Sequence, residues 1–217
     1  MHVLYLSPGF PAEMPSFVRG LAEVGAKVLG VGDQPAAALP AEARRALSDY
    51  LQVRSFGDEQ AVVGEVQRFL RGRSIDRVEC LWERLMYLAA RLREQFGLPG
   101  MTRAQTEVFR DKESMKQAVE RAGLRVPRHA RARSMQEAWA AIERIGYPAI
   151  VKPIDGAGSK DTWRCNDKDE FARALERTRH VDEISVEEFI EGEELTYDTV
   201  CANSKVLFES VAWYRPK

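Results

Sequence analysis

The sequence is poor in cysteine, which limits the kinds of cross-link and site that the chain can build. Its 217 residues contain three cysteines, Cys80, Cys165 and Cys201, which lie far apart. Their spacing matches neither a disulfide framework, nor a zinc site, nor a redox motif. Each cysteine lies in an apolar stretch, so we predict three buried thiols in a protein of a reducing compartment.

The sequence also lacks an excess of charge of one sign and a long apolar run. The formal net charge is -1, from 32 lysines and arginines against 33 aspartates and glutamates. This balance is not typical of a protein that binds nucleic acid or an anionic membrane, so any anion site must be local. No run approaches the ~18 apolar residues of a membrane span, and residues 1–6 do not resemble a signal peptide. We therefore expect a cytoplasmic protein without a membrane partner.

The first hundred residues alternate short apolar runs with helical patterns. The pattern predicts strands at 3–6, 27–31, 50–53 and 77–81, and helices at 15–24, 60–71 and 83–96. Such alternation is typical of a parallel sheet that carries helices on its faces. With right-handed crossovers, it predicts a small doubly wound α/β domain.

After Gly100 the pattern changes to that of an α+β unit. It predicts helices at 111–122, 135–145 and 169–178, and strands at 128–132, 148–154, 162–165 and 184–190. Two further strands, 195–202 and 205–213, are joined by the polar turn Asn203-Ser204 and predict an antiparallel hairpin. A hairpin alone is marginally stable, so we expect its faces to belong to a larger sheet.

Two lysines occupy positions where a positive charge needs an explanation. Lys112 follows Asp111, the predicted N-cap of a helix, and so lies beside the positive end of the helix dipole. A bound phosphate would make this placement favourable, and the alternative is a solvated surface lysine. Lys152 lies in a strand that is apolar on both faces. It must lose its charge, extend to solvent or meet an anion, because an unpaired buried ammonium costs several kcal/mol.

A glycine-rich loop follows the strand of Lys152 directly. It consists of Asp155, Gly156, Ala157, Gly158, Ser159 and Lys160. Two glycines around a small residue let backbone N–H groups approach an anion closely, and the final lysine adds positive charge. The loop matches neither the Walker A motif nor the dinucleotide fingerprint, so an ordinary hairpin turn is the alternative.

An acidic segment ends the predicted strand at 184–190. The four residues from Glu187 to Ile190 mix acidic and apolar positions and would line a purine slot, in which backbone groups read the base edge. Glu194 would accept hydrogen bonds from two ribose hydroxyls, because an ionised carboxylate is an acceptor with two oxygens. A solvated acidic turn is the alternative for the whole segment.

Three segments together resemble the ATP-grasp superfamily, especially its biotin carboxylases, carbamoyl phosphate synthases and amino-acid ligases. In order, they are DKESMKQAVERAGLRVP, YPAIVKPIDGAGSKDT and VEEFIEGEELTYD. The resemblance covers residues 100–198, whereas residues 1–99 match only the general form of the domain that precedes the ATP-grasp unit. It implies a pre-ATP-grasp domain at 1–100, a lid subdomain at 101–184 and the beginning of a second lobe at 185–217.

The resemblance also implies ATP as a ligand and a role for each candidate residue. Phosphate contacts fall to Lys112 and to Lys152, the latter as the catalytic residue. Gly156 to Ser159 correspond to the lid loop over the phosphates, and the flanking Asp155 and Lys160 are also implied to bind ATP. The implied adenosine contacts lie in one segment: Glu187 beside the adenine, Glu188, Phe189 and Ile190 along the base, and Glu194 at the ribose. The family's Mg²⁺ ligands lie in the second half of the unit, so no metal ligand is predicted here. We therefore expect a part of a longer protein that is inactive alone.

For the intact protein, the resemblance implies a ligase that activates a carboxylate as an acyl phosphate for attack by an amine. The loop Ser7 to Pro11 and the corner Trp82-Glu83 follow strands at the sheet edge where α/β ligands collect, and would carry part of the substrate site or serve as connectors. An enzyme acting on bicarbonate, a non-catalytic nucleotide-binding protein and an α/β protein without nucleotide remain alternatives. The expected partners are a small carboxylate, an amine and, through an exposed sheet edge, a second copy.

Overall fold

The computed structural model describes residues 1–154 and 160–213, which divide between two compact units. The first unit is Met1–Leu124 and the second is Arg125–Lys217. Both combine helices and strands, and the first contains a parallel sheet, so the predicted α/β class is confirmed. The division at residues 100 and 184 stays a prediction.

The first unit is built on a parallel sheet of four strands. The strands are β1 (His2–Leu6), β2 (Lys27–Gly32), β3 (Leu47–Gln52) and β4 (Arg77–Glu79), in the order β3-β2-β1-β4. The helices are α1 (Met14–Glu23), α2 (Ala41–Ala46), α3 (Glu59–Phe69), α4 (Met86–Phe96), α5 (Arg103–Arg110) and α6 (Lys112–Arg121). The chain adds β2 and β3 on one side of β1 and then adds β4 on the other side. The direction of winding therefore reverses between β1 and β4.

Both faces of this sheet are buried, which explains why its strands are apolar at consecutive positions. Alternate residues of β1 point to opposite faces. Leu4 and Leu6 belong to a core that includes α3 and α4, whereas Val3 and Tyr5 pack with α1. The predicted doubly wound arrangement is therefore confirmed.

Two helices of the first unit were not predicted. The first is α2, which has only six residues. The second is α5, which begins with a capping box in which the Thr102 side chain accepts from the amide of Gln105 and the Gln105 side chain accepts from the amide of Thr102. The T-x-x-Q spacing of this box was a readable signal for a helix start.

The second unit contains an antiparallel sheet and a separate hairpin. The sheet strands are β5 (His129–Ala132), β6 (Ala149–Pro153), β7 (Trp163–Cys165) and β8 (Ile184–Glu188), in the order β5-β8-β6-β7. Helices α7 (Met135–Ile145) and α8 (Lys168–Arg177) cover one face. The hairpin consists of β9 (Leu195–Ala202) and β10 (Lys205–Trp213), with φ of 51° and 59° at the predicted turn residues Asn203 and Ser204. None of the helices in the described ranges has the length and apolar composition that a membrane crossing requires.

The cysteines do not share one environment, so the prediction of three buried thiols is wrong. Cys165 is buried in the core of the second unit, and Cys80 is half-buried. Cys201 is exposed, because it lies on the hairpin, whose residues are largely solvent-accessible in the described structure. Burial raises the pKa of the Cys80 and Cys165 thiols to about 11.

We expect iodoacetamide at pH 8 to alkylate Cys201 in the native protein and to leave Cys80 and Cys165 unmodified. The thiolate is the reactive form. Burial disfavours it at Cys80 and Cys165 and also blocks access to Cys165. Peptide mass spectrometry measures the extent at each cysteine, and labelling in urea is the control in which all three react. Native labelling of Cys165 as fast as Cys201 would contradict the described core.

Candidate functional site

The sheet of the second unit has one apolar face and one polar face. Ala149, Val151 and Val186 face the core formed with α7 and α8. The residues next to these in sequence are Ile150 and Lys152 of β6, and Ser185 and Glu187 of β8. Strand alternation places these four side chains on the opposite face, where Lys152 pairs with Ser185 and Ile150 pairs with Glu187.

A buried ion pair lies on this polar face. The Lys152 Nζ is 2.8 Å from Glu187 Oε2, with side-chain exposures of 24% for the lysine and 5% for the glutamate. The Ser185 hydroxyl donates to Glu187 Oε1 at 2.8 Å, so both carboxylate oxygens accept. Among the described residues, the anion that Lys152 meets is therefore Glu187. Two site residues that lie 35 positions apart in the sequence come together.

The end of β8 and the residue after it are held by hydrogen bonds to residues that directly precede β5 and β6. The Glu188 carboxylate accepts from the Arg128 amide at 3.0 Å and lies 3.2 Å from the Arg125 guanidinium. The hydrogen bond from the Arg128 amide and the charges of Arg128 and Arg125 lower the pKa of Glu188. The amide of Glu188 donates to the Arg128 carbonyl at 2.8 Å, and the amide of Phe189 donates to the Pro148 carbonyl at 3.1 Å. These bonds fix the backbone up to Phe189.

Ile190 is the first residue beyond these bonds. It follows the strand on the chain and is 44% exposed. At Glu188 the side chain contacts two arginines and the amide donates to the Arg128 carbonyl, so the Glu188 carbonyl is the group that remains as a candidate for reading a base.

Arg164 is a residue of this site that the sequence did not reveal. Its guanidinium lies 4.0 Å from the centroid of the Phe189 ring, a cation–π distance. The Arg164 Nε donates to the Asn166 side chain at 3.1 Å. Arg164 pairs with Ile150 across β7 and β6, which puts it on the polar face. The alternation of Trp163, Arg164 and Cys165 was the available signal, but its face could be assigned only after the pairing was known.

The other predicted residues lie in several places. Lys112 is the first residue of α6, in the first unit, and the predicted N-cap is confirmed because the Asp111 carboxylate accepts from the Ser114 amide at 2.7 Å. Lys160 and Glu194 are exposed, the latter just before β9. Five loop residues lie outside the described residues: Asp155, Gly156, Ala157, Gly158 and Ser159. Over the ranges that are described, no group of three or more His, Cys, Asp or Glu side chains could hold a metal ion.

Two family models match most of the chain. The model for the ATP-grasp domain matches residues 109–212, and the model for the ATP-grasp N-terminal domain matches residues 22–100. The chain is 26% identical over 146 residues to the L-arginine-specific L-amino acid ligase of Bacillus subtilis, which is 64% of this chain and 35% of that protein. It is 36% identical over 111 residues to D-alanine–D-alanine ligase B of Xanthomonas campestris, which is 48% of this chain and 35% of that protein.

Solved structures share the fold at lower identity. The L-amino acid ligase from Bacillus licheniformis has a TM-score of 0.76 at 23% identity, over 98% of this chain and 50% of that one. The N5-carboxyaminoimidazole synthetase from Staphylococcus aureus, complexed with ADP, has a TM-score of 0.74 at 17% identity, over 98% and 53%. The chain thus spans about half the length of these solved structures and about a third of the two curated relatives.

The ion pair makes a testable prediction about stability. We expect Lys152→Met to destabilise the second unit by about 3 kcal/mol, because it leaves the Glu187 charge buried without this cation. In Lys152→Met/Glu187→Gln no such charge remains, while the side-chain oxygen still accepts from Ser185. The double variant should therefore be more stable than the sum of the two single changes predicts, with a coupling of at least about 1 kcal/mol. Urea unfolding of the four proteins measures this coupling, and additive effects would show that the pair is not coupled.

Proposed function

Because this chain belongs to the ATP-grasp superfamily, we propose that it is the ATP-binding part of a ligase that joins a carboxylate to an amine. The observation that carries the proposal is the buried pair of Lys152 and Glu187 on the polar sheet face. Lys152 stands one residue before the end of β6, and the predicted phosphate loop follows at 155–160. A cation held this firmly beside a glycine-rich loop suits a phosphate chain.

The polar face fits a nucleotide in its chemistry. Glu187 restrains the Lys152 ammonium, which would contact the phosphates. Lys112 and the 155–160 loop are proposed as phosphate contacts from the order of the family's motifs alone. The Arg164 guanidinium lies over the Phe189 ring, and this contact would help to fix the 188–190 segment, in which backbone groups of Glu188 and Ile190 would read the adenine edge. Glu194 would hold the ribose. These assignments also follow the order of the family's motifs.

In the proposed reaction the chain positions and stabilises rather than forming covalent bonds. Bound ATP would supply the phosphoryl group that turns the substrate carboxylate into an acyl phosphate, which the amine then attacks. Lys152 would neutralise charge that develops on the phosphoryl oxygens, and Glu187 would keep its ammonium in place. The anchored Glu188 and Phe189 would hold the base without reorganisation.

The proposal includes Mg²⁺ only for the intact enzyme. The described residues offer no cluster of carboxylates that fits the ion, so no step is assigned to it here. The carboxylate and amine substrates, a homodimer and a cytoplasmic location belong to the same proposal.

We expect Mg-ATP to raise the thermal stability of this chain and Mg-GTP to leave it unchanged. A ligand at 100 times its Kd adds about 2.7 kcal/mol to the free energy of unfolding. Lys152→Ala should lose most of the ATP-induced shift, whereas the exposed Lys27→Ala should keep it. Differential scanning calorimetry measures the shift for each variant against its own ligand-free protein. Equal shifts with both nucleotides would contradict the adenine slot, and no shift would contradict nucleotide binding by these residues.

The role of Glu194 predicts a preference for the ribose over the deoxyribose. If its carboxylate accepts from both ribose hydroxyls, 2′-deoxy-ATP should bind about tenfold more weakly than ATP, since a hydrogen bond to a charged group contributes about 1.5 kcal/mol. Glu194→Ala should bind the two nucleotides equally, and Glu193→Ala, its exposed neighbour, should keep the preference. Isothermal titration of the three proteins with each of the two nucleotides gives the six dissociation constants. A preference that survives in Glu194→Ala would assign the ribose contact elsewhere.

A further inference from the structure

Two aromatic side chains meet at the surface of the first unit. The rings of Phe10 and Trp82 are 5.1 Å apart between centroids and inclined at 81°, an edge-to-face contact. Trp82 is half-buried against the core of α3 and α4, whereas Phe10 is 51% exposed. We call these two residues the aromatic pair. Trp82 contacts one side of the Phe10 ring, and the exposed part of that ring is apolar surface that a ligand could contact.

The sheet topology places the aromatic pair where α/β folds bind ligands. Phe10 lies in the loop that follows β1, and Trp82 lies in the loop that follows β4. These strands are neighbours, and the helices that adjoin them in sequence, α1 and α3, pack on opposite faces of the sheet. The crevice beyond the carboxyl ends of such a strand pair is the usual ligand site of an open parallel sheet.

The loop that carries Phe10 is held in one conformation. The Ser7 amide donates to the Val31 carbonyl at 2.8 Å, and its hydroxyl donates to the Phe10 carbonyl at 2.6 Å. Ser7 has a φ of 56°, which is uncommon for a residue other than glycine. A Cβ on Gly9 would lie 2.9 Å from the Leu39 side chain, so the loop also packs closely there. The exposed ring is therefore presented by a built loop rather than by a loose one.

A cation at the rim of the aromatic pair favours an anionic ligand. The guanidinium of Arg84, an exposed residue, lies 5.8 Å from the centroid of the Trp82 ring. The neighbouring carboxylate of Glu83 forms an ion pair with Arg110, which offsets its charge. The site thus combines apolar aromatic surface with a cation at its rim.

We propose that the aromatic pair binds the side chain of the carboxylate substrate, and that this substrate is a small acid with an aromatic or branched apolar group. Arg84 attracts the anionic acid, while Phe10 and Trp82 cover its apolar group. That this acid is a substrate rests on the proposed ligase function, but binding of the acid does not require ATP.

The test uses the full chain labelled with 5-fluorotryptophan, whose four tryptophans each give a fluorine resonance. Trp82→Phe assigns the reporting resonance. We expect 3-phenylpropionate to shift the Trp82 resonance in a saturable way and to leave the other three unchanged. Propionate, which lacks the ring, should cause no shift, and phenethylamine, which replaces the carboxylate by an amine, should bind about tenfold more weakly because of Arg84.

Three variants make the test specific. Phe10→Ala should weaken 3-phenylpropionate about tenfold, a typical loss for a truncated aromatic contact. Arg84→Gln should bind 3-phenylpropionate and phenethylamine alike. Phe208→Ala removes a phenylalanine that is similarly exposed, at 58%, but lies on β10 of the second unit, and should change nothing.

The outcomes separate this inference from the proposed function. No saturable shift of the Trp82 resonance, or an equal shift with propionate, would overturn it. Stronger binding of phenethylamine than of 3-phenylpropionate would overturn the assignment to the carboxylate substrate. ATP-induced stabilisation without any Trp82 response would refute the inference alone. A Trp82 response without ATP-induced stabilisation would support the acid site and refute the nucleotide site.

Discussion

The ion pair of Lys152 and Glu187 constrains how β6 and β8 pair in the second unit. Lys152 and Glu187 face each other, since separating them would leave the Glu187 carboxylate, whose side chain is 5% exposed, without this cation at a cost of several kcal/mol. They do so only in the observed register, in which Lys152 pairs with Ser185 and Ile150 pairs with Glu187. A shift by one residue would turn Lys152 into the core of α7 and α8, since neighbouring strand residues point to opposite faces. The register of β6 and β8 is thus set by charge as well as by apolar packing.

The apolar face of the same sheet also constrains the positions of β6 and β8, through its packing against α7 and α8. Ala138, Ala141 and Ala149 are completely buried, and small side chains let helix and sheet approach closely. Phe171 fills the remaining space and meets the Trp139 ring at 5.0 Å. This packed layer holds the backbone of β6 and β8, and with it the positions of Lys152 and Glu187. Core packing on one face therefore supplies the precision of the polar groups on the other.

The sequence predicts the elements of the fold better than their pairing. Periodicity predicts α7 at its observed bounds and both strands of the hairpin, because these patterns are local. It misses α2, which is too short to show a period, and places Cys201 in a core because the hairpin is apolar by composition. The sequence indicates that Lys152 must lose its charge, extend to solvent or meet an anion, but it does not decide between these outcomes or name the partner. Glu187 lies 35 residues away, and only the antiparallel ladder brings it to the lysine. Arg164 was not predicted for the same reason, because the sheet face on which it lies depends on the pairing of β7 with β6.

Soluble proteins usually bury apolar side chains and expose charged ones, and each unit contains one exception to this rule. The second unit buries a charged pair, and the first exposes the Phe10 ring in a loop whose Ser7 adopts an uncommon backbone conformation. Each exception carries a free-energy cost. Neighbouring contacts keep the groups in place: the Ser185 hydroxyl donates to Glu187, and the Phe10 loop packs closely at Gly9. Groups kept in costly positions by a well-determined framework are those most often used for binding. This physical reason, rather than motif similarity alone, directs attention to Lys152 in one unit and to the aromatic pair in the other.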